Sequence, residues 1–544
     1  MRHAHFPMVG TCSVFIFRLF HHWFGDLVTC ESWANLPLNE SFANYSQYLW
    51  DEYRHGNDEA DHHALSEMNQ YLISAQNQGS VDMIRYDYLN KEDMFDAHSY
   101  NKGGRILHML RTYVGDEAFF ASLKLYLEQN KFKPAEIHNL RLAFEEVTGE
   151  DLNWFFDQWF FDKGHPDLLI TQKFDRGRLE VVITQNQNLD VTPIYKLPID
   201  IDIYFDEFKR RERVICEKVS DTFLFNLPGK PMLVNVDATK TLLCTKEDKK
   251  PIEQFVYQYY HAPKYLDRLE AIKACAGSTD DAAVAVIIDA LNDKYWNLRE
   301  TAMKNMKKAV KKRKDDIKVK LMDLAQNDAK SDVRAEAVKQ LSKHYEDDKD
   351  LLPVYNKAIA DQSYQVLAEG MKALAKLDNK EGLKLARSMK SEKNASVKMA
   401  VAQVLVDYGT EEDHTYFLDA AKKLGNYESF TFLPLYGDYL KRQSDEEIEK
   451  GLEIFEDFAK NKTAWYDKFM GVQMLSTMAQ FYSGRESDFR GEMEGYEAAG
   501  KTSDAQIAEQ KMMAARKKAE ELNLLIEKIR EAENSGKVMI IHQD

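Results

Sequence analysis

The chain has 544 residues, of which 44% are hydrophobic and 30% are charged, a composition that is ordinary for a globular protein with several domains. Its 73 Lys and Arg residues against 89 Asp and Glu residues give a net charge of −16, which argues against a general nucleic-acid-binding protein, because neutralising phosphates requires a basic surface. With 24 Gly and 12 Pro the chain is not collagen-like, and its five cysteines lack the spacing of a zinc cage or a disulfide framework.

The first twenty residues combine a slightly basic start with an apolar run and superficially resemble a signal peptide. The run is too short to span a bilayer, and no small-residue cleavage site separates it from His21. No later stretch has the length and apolar character of a membrane span. We therefore expect the chain to contain no membrane span.

Residues 21–165 follow a helical period and are rich in aromatic side chains. Apolar residues recur three and four positions apart, as in Ile106, Leu107, Leu110 and Val114, which places them on one face of a helix. The segment 163–166, Lys-Gly-His-Pro, interrupts this pattern. The sequence predicts a helical domain that ends near residue 165.

Residues 166–250 change to a period of two. Short runs alternate between apolar and polar side chains, and they are separated by turn residues such as Asp-Arg-Gly and Pro-Gly-Lys. The runs are 179–183, 199–203 and 234–236. This pattern predicts a small antiparallel β-sandwich. Cys216 and Cys244 either pair within this domain or remain separate strand thiols.

Residues 251–544 are rich in helix-forming residues and contain a weak internal repeat. Four groups of apolar residues recur at intervals of 35, 33 and 31 positions. The groups are Leu298, Ala302, Met303 and Met306; Val333, Ala337, Val338 and Leu341; Val366, Gly370, Met371 and Leu374; and Val397, Val401, Ala402 and Leu405. Stacked helix pairs have this signature, so we predict a HEAT/armadillo-like α-solenoid.

The segment from His21 to Tyr45 carries the clearest chemical signal. A catalytic zinc site takes three protein ligands and leaves one position for water, and a glutamate between two histidines of one helix acts as the base. Glu40 stands nineteen positions after His21, with a turn at residues 35–38 between them. Two antiparallel helices would then bring both side chains to one metal ion.

This segment resembles the zinc-binding segment of the gluzincin aminopeptidases, the family of aminopeptidase N and leukotriene hydrolase. Their pattern is His-Glu-x-x-His, eighteen further residues, and a glutamate within Asn-Glu; His21 and Asn39-Glu40 fit this spacing. Tyr100 stands ahead of a Lys-Gly pair, as a tyrosine does in the family. The resemblance implies that His21 and Glu40 are the second and third zinc ligands and that Tyr100 hydrogen-bonds the oxyanion.

The same resemblance implies a multidomain, mainly α protein with zinc as the cofactor and a peptide as the substrate. Its order would be a thermolysin-like helical half-domain at 21–165, a β-sandwich at 166–250 and a HEAT-like solenoid at 251–544. The chain would then be the C-terminal portion of a zinc metalloaminopeptidase, truncated at the N-terminus, with residues 1–20 lying outside the family sequence.

Two positions depart from the family pattern. Phe17 and Arg18 stand where the family has its first histidine ligand and its catalytic glutamate. A phenyl ring cannot ligate a metal, and a guanidinium is a permanent cation that cannot accept a proton. We therefore predict weak or absent zinc binding and no hydrolysis, and nothing in the spacing of His3 and His5 aims them at the site.

An alternative function belongs to another class. Read alone, His21 is an ordinary packed histidine, Glu40 an ordinary helix acid and Tyr100 an ordinary core tyrosine. The missing ligand and the missing base favour this alternative, in which the chain is a non-catalytic scaffold whose HEAT-like solenoid binds a protein partner along its concave face.

Overall fold

The structure is a computed structural model that describes the backbone of residues 8–541 and the side chains of residues 14–532, residue 426 excepted in both ranges. His3 and His5 lie outside the described residues. The chain forms two compact units, Met1–Lys314 and Asp315–Asp544. The described part is mainly helical and contains three β-sheets.

The first unit begins with helices, as the helical period predicts. They are α1 (Met8–Phe20), α2 (Pro37–His55), α3 (Asn57–Gln78), α4 (Gly103–Val114), α5 (Asp116–Asn130), α6 (Ile137–Thr148) and α7 (Asn153–Phe156). Two π-helical turns, His98–Lys102 and Asp157–Phe161, and two 3-10 turns, Trp33–Asn35 and Lys91–Met94, lie between them. A short parallel sheet joins β1 (Thr29–Cys30) to β2 (Pro134–Ala135).

Two larger sheets follow. Their strands are β3 (Asp167–Asp175), β4 (Arg178–Gln185), β5 (Leu197–Tyr204), β6 (Lys209–Cys216), β7 (Ser220–Asn226), β8 (Leu233–Val236) and β9 (Thr245–Lys249). The strand orders are β7-β4-β3-β9 and β6-β5-β8. The three alternating runs of the sequence lie in β4, β5 and β8. Cys216 and Cys244 are free, buried thiols.

One strand pair differs from the predicted antiparallel arrangement, because β3 and β9 pair in parallel. The last strand enters the sheet beside the start of β3, where Thr245 Oγ1 donates to Asp167 Oδ1 at 2.6 Å. The local alternation of side chains is the same in parallel and antiparallel strands, so the pattern could not distinguish them.

The helices and both larger sheets share one hydrophobic core. Phe42, Ile106 and Trp159 from the helical part are buried in the same cluster as Ile183 of β4 and Ile201 of β5. The strands therefore pack against the helical part and complete its core.

The first unit ends with α8 (Ile252–His261), α9 (Tyr265–Ala276), α10 (Asp281–Ala290), α11 (Trp296–Lys304) and α12 (Lys307–Lys312). The second unit contains α13 (Lys314–Asn327), α14 (Ser331–His344), α15 (Leu352–Ile359), α16 (Tyr364–Leu377), α17 (Asn379–Ser388), α18 (Ala395–Tyr408), α19 (His414–Ala421), α20 (Ser429–Leu440), α21 (Asp445–Asn461), α22 (Trp465–Ala498) and α23 (Thr502–Ile541), with 3-10 turns Lys349–Leu351 and Glu411–Asp413. Within the described residues, none of these helices combines the length and apolarity that crossing a bilayer requires.

The four groups of the internal repeat lie on or directly after α11, α14, α16 and α18, and all of their residues are buried. A polar contact recurs with them that the sequence analysis did not predict. Arg299 Nη1 donates to the carbonyl oxygen of Asp293 at 2.8 Å, and Arg334 Nη1 donates to that of Asp328 at the same distance. In each case an arginine near the start of a helix hydrogen-bonds to the turn that precedes the helix.

Candidate active site

The structure brings His21 and Glu40 together. His21 follows the last residue of α1, and its Nε2 lies 3.5 Å from Oε2 of Glu40 on α2. His21 Nδ1 lies 3.1 Å from the carbonyl oxygen of Phe24. Because a carbonyl oxygen only accepts, Nδ1 carries the proton, and in the neutral ring the Nε2 lone pair faces Glu40. Interaction with Glu40 is the largest influence on the pKa of His21 and raises it above its ordinary value.

The carboxylate of Glu40 is fixed by its place in α2. Pro37 occupies the first turn of this helix, where its fixed φ favours helix initiation, and Glu40 follows in the same turn. The N-terminal end of a helix dipole stabilises a negative charge. The helix start therefore holds a buried carboxylate toward His21.

Tyr100 also interacts with Glu40. It belongs to the π-helical turn His98–Lys102 and is half-buried. Burial is the main cause that raises its pKa, and the charge of Glu40 and a hydrogen bond to it act in the same direction. The phenol therefore stays protonated and able to donate a hydrogen bond.

Glu67 of α3, which the sequence analysis missed, connects the two elements that carry Glu40 and Tyr100. Its Oε2 accepts from Asn44 Nδ2 at 2.6 Å and also from Asn101 Nδ2. Asn44 lies one helical turn after Glu40, and Asn101 directly follows Tyr100. The one-turn offset from Glu40 is the only sequence signal that could have predicted that Asn44 belongs to the site. No local sequence signal could have predicted this for Glu67.

The ring of Phe17 contacts two of the predicted site residues, His21 and Tyr100. Its ring centroid is 5.1 Å from that of His21, edge to face, and 6.2 Å from that of Tyr100, in a stacked arrangement. Arg18 is exposed on α1. His22 is also exposed, and its Nδ1 lies 3.2 Å from Oδ2 of Asp26, outside the group formed by His21, Glu40 and Tyr100.

These residues do not complete a catalytic zinc site. Such a site needs three protein ligands, and His21 and Glu40 supply an imidazole and a carboxylate, while Phe17 contributes only an apolar ring. Throughout the side chains described, no group of three or more His, Cys, Asp or Glu residues is arranged to hold a metal ion.

Comparison with known proteins identifies the family to which this segment is related. Residues 9–159 match the peptidase family M1 domain. Aminopeptidase M1-A of Oryza sativa subsp. japonica is 29% identical over 220 residues, which are 39% of this chain and 24% of that protein. Aminopeptidase N of Lactococcus lactis subsp. lactis is 32% identical over 200 residues, which are 31% of this chain and 23% of that protein. These matches confirm the predicted resemblance to the gluzincin metallopeptidases.

A solved structure shows the same fold. Aminopeptidase A of Legionella pneumophila, in complex with aspartic acid, superposes with a TM-score of 0.57 at 15% identity, covering 92% of this chain and 65% of that one. In the two curated relatives named above, the matched segment spans about a quarter of the protein's length. The family match begins at residue 9, inside the stretch 1–20 that the sequence analysis set apart.

Proposed function

We propose that this chain, whose residues 9–159 match the peptidase family M1 domain, is the C-terminal portion of a zinc metalloaminopeptidase and does not hydrolyse peptides as it stands. The observation that supports this most directly is the pair Phe17 and Arg18. Phe17 packs on His21 and Tyr100 where the family carries a ligand, and Arg18 replaces the family's base.

The residues that remain have assignable roles. In an intact relative, zinc would supply an activated water, and His21 and Glu40 stand at the positions that hold the metal. Tyr100 would donate a hydrogen bond to the oxyanion of the peptide carbonyl, because its raised pKa keeps the phenol protonated. Position 18 offers no group that takes a proton from water, because the guanidinium of Arg18 has no lone pair to accept it.

Turnover and metal content test the proposal together. The purified chain is incubated with zinc, freed of unbound metal, analysed for zinc and assayed on aminoacyl p-nitroanilides, with Lactococcus aminopeptidase N as the positive control. We expect less than one zinc per chain and background hydrolysis. Stoichiometric zinc with turnover above background would contradict the proposal.

The domain architecture is part of the same proposal. A β-sandwich at 166–250 is supported by the two larger sheets, which contribute to one core. A HEAT-like solenoid at 251–544 is supported by the buried apolar repeat and by the recurring contact of Arg299 and Arg334 with the preceding turn. The helical part at 21–165 carries the candidate site.

A second candidate function is a non-catalytic scaffold that binds a protein partner. The second unit carries a cluster of aromatic side chains with large exposed fractions, and such clusters mark interaction sites when they are contiguous. Tyr427 is 59% exposed, Trp465 69% and Phe469 53%. Coprecipitation from the source organism with the intact chain and with a Tyr427→Ser/Trp465→Ser variant tests this function, since a partner retained by both would not use this surface.

A further inference from the structure

We infer that Phe17 alone keeps the His21–Glu40 pair from holding a divalent transition-metal ion, and that the rest of the site is already arranged for one. This inference rests on the proposed function, because it takes the family's metal position as its starting point. It goes further in assigning the loss of the metal to one side chain, and in separating that loss from the loss of the base at Arg18.

The first argument for this inference is the distance between His21 and Glu40. A tetrahedral zinc ion with bonds of about 2.0–2.1 Å to nitrogen and oxygen places two of its ligand atoms about 3.3–3.4 Å apart. The measured separation of His21 Nε2 and Glu40 Oε2 is 3.5 Å. A direct charge-assisted hydrogen bond would be shorter, at about 2.7–2.9 Å. The separation therefore fits two ligands of one ion better than it fits a tight ion pair.

The second argument is the orientation of the His21 ring by its surroundings. A metal-binding histidine usually donates its other ring nitrogen to a carbonyl or carboxylate, which fixes the tautomer and the ring plane. The Nδ1 of His21 has such a partner in the carbonyl oxygen of Phe24, at 3.1 Å. On the opposite side, Glu40 is held in the first turn of α2. Both ligand atoms are thus oriented without a metal.

The third argument is the position of Phe17. It lies on α1, four residues before His21, which directly follows the last residue of that helix. Its ring contacts both His21 and Tyr100, so the side chain at position 17 points into the site. Arg18 is one residue further, about 100° around the helix, and is exposed. A ligand at position 17 would therefore meet His21 and Glu40, whereas a change at position 18 would not supply one.

Metal binding by single variants of the full chain tests the inference. Wild type, Phe17→His, Phe17→Glu and Arg18→Glu are titrated with Zn²⁺ by calorimetry and with Co²⁺, whose visible absorption reports tetrahedral coordination. We expect Phe17→His to bind one ion per chain at least 100-fold more tightly than wild type, with Phe17→Glu also gaining affinity. Arg18→Glu should bind as weakly as wild type, and His21→Gln in the Phe17→His background should abolish the gain.

Several results would overturn the inference. One is a Phe17→His or Phe17→Glu variant that keeps the wild-type circular dichroism and thermal unfolding but binds no more tightly than wild type. Another is Arg18→Glu gaining the metal by itself. Phe17→Leu serves as the control for lost aromatic packing. Turnover by the wild-type chain would instead refute the proposed function, so the two failures are distinguishable.

Discussion

Gly103 lies directly against Ser41, and this contact sets how closely the turn that carries Tyr100 approaches the helix that carries Glu40. A β-carbon at position 103 would stand 1.9 Å from Ser41 Oγ and 2.6 Å from Ser41 Cβ. The Ser41 hydroxyl donates to the carbonyl oxygen of Ser99 at 2.7 Å, and this hydrogen bond links the same helix to the same turn. The approach therefore requires a residue without a side chain.

We predict that Gly103→Ala destabilises the first unit by roughly 1–3 kcal/mol, because the new methyl group overpacks a rigid contact. Chemical denaturation followed by circular dichroism measures the effect. Gly229→Ala is the matched control, since nothing lies within 4 Å of a β-carbon there. The double variant Ser41→Gly/Gly103→Ala should recover part of the loss, and a Gly103→Ala protein as stable as the control would contradict the packing argument.

Glu67 should be the residue whose removal loosens the site most without touching Glu40 or Tyr100. Glu67→Ala deprives the amides of Asn44 and Asn101 of their acceptor, and each amide left unpaired costs about 1–3 kcal/mol. We expect a loss of about 2–4 kcal/mol in urea unfolding, and a smaller loss for Glu67→Gln, whose amide oxygen still accepts. Exposed Glu117→Ala is the control. Equal stability of Glu67→Ala and Glu117→Ala would show that the three-residue contact contributes little.

Lys102 is fully buried, and among the described residues its Nζ has no hydrogen-bond partner. Burial is the largest influence on the pKa of this ammonium and lowers it to about 8, although the carboxylates of Asp82 and Asp162 act in the opposite direction. In the unfolded chain the group keeps the ordinary pKa of about 10.4. Between these two values the unfolded state binds more protons, so stability rises as the pH rises.

We therefore predict that Lys102→Met is more stable than wild type at pH 7, by about 3 kcal/mol, because the variant carries no buried charge. The difference should shrink as the pH rises from about 8 to 10. Urea unfolding at several pH values measures it, with exposed Lys230→Met as the control. A variant that is less stable than wild type at pH 7 would mean that the surrounding carboxylates outweigh the cost of burial.

Asp413 should make the second unit sensitive to acid. Burial by itself would raise its pKa, but hydrogen bonds from Arg387 and Lys390 outweigh burial and hold the pKa at about 2. Because the folded pKa is depressed, the stabilisation is present above about pH 4 and is lost as the pH falls through about 2. The two cations are partly exposed, so solvent screening limits its size.

Asp413→Asn should accordingly destabilise the second unit by roughly 1–2 kcal/mol at pH 7, and its difference from wild type should vanish only below about pH 2. Hydrogen exchange in α19–α21 reports this unit separately from the first. Exposed Asp419→Asn should show neither effect. A difference that persists unchanged to pH 2 would assign the effect to packing instead of charge.

The sequence by itself determined much of the local structure and indicated the candidate site residues. Helical and alternating periods depend on residues a few positions apart, so the strands at 179–183 and 199–203 and the buried repeat on α14, α16 and α18 could be predicted. The spacing of His21 and Glu40 and the short motif at Tyr100 sufficed to indicate the gluzincin family. The replacements Phe17 and Arg18 were visible in the same way, because each is a substitution within a known motif.

Only the tertiary structure decided which groups meet across long separations in the chain. The parallel pairing of β3 with β9 and the bonds of Glu67 to Asn44 and Asn101 have no local signature. Each depends on how elements far apart in the chain pack around a shared core, and such packing is set by the sum of many weak contacts. A pattern of neighbouring residues cannot encode that sum, and for this reason the ring of Phe17 could be named from the sequence but not placed against Tyr100.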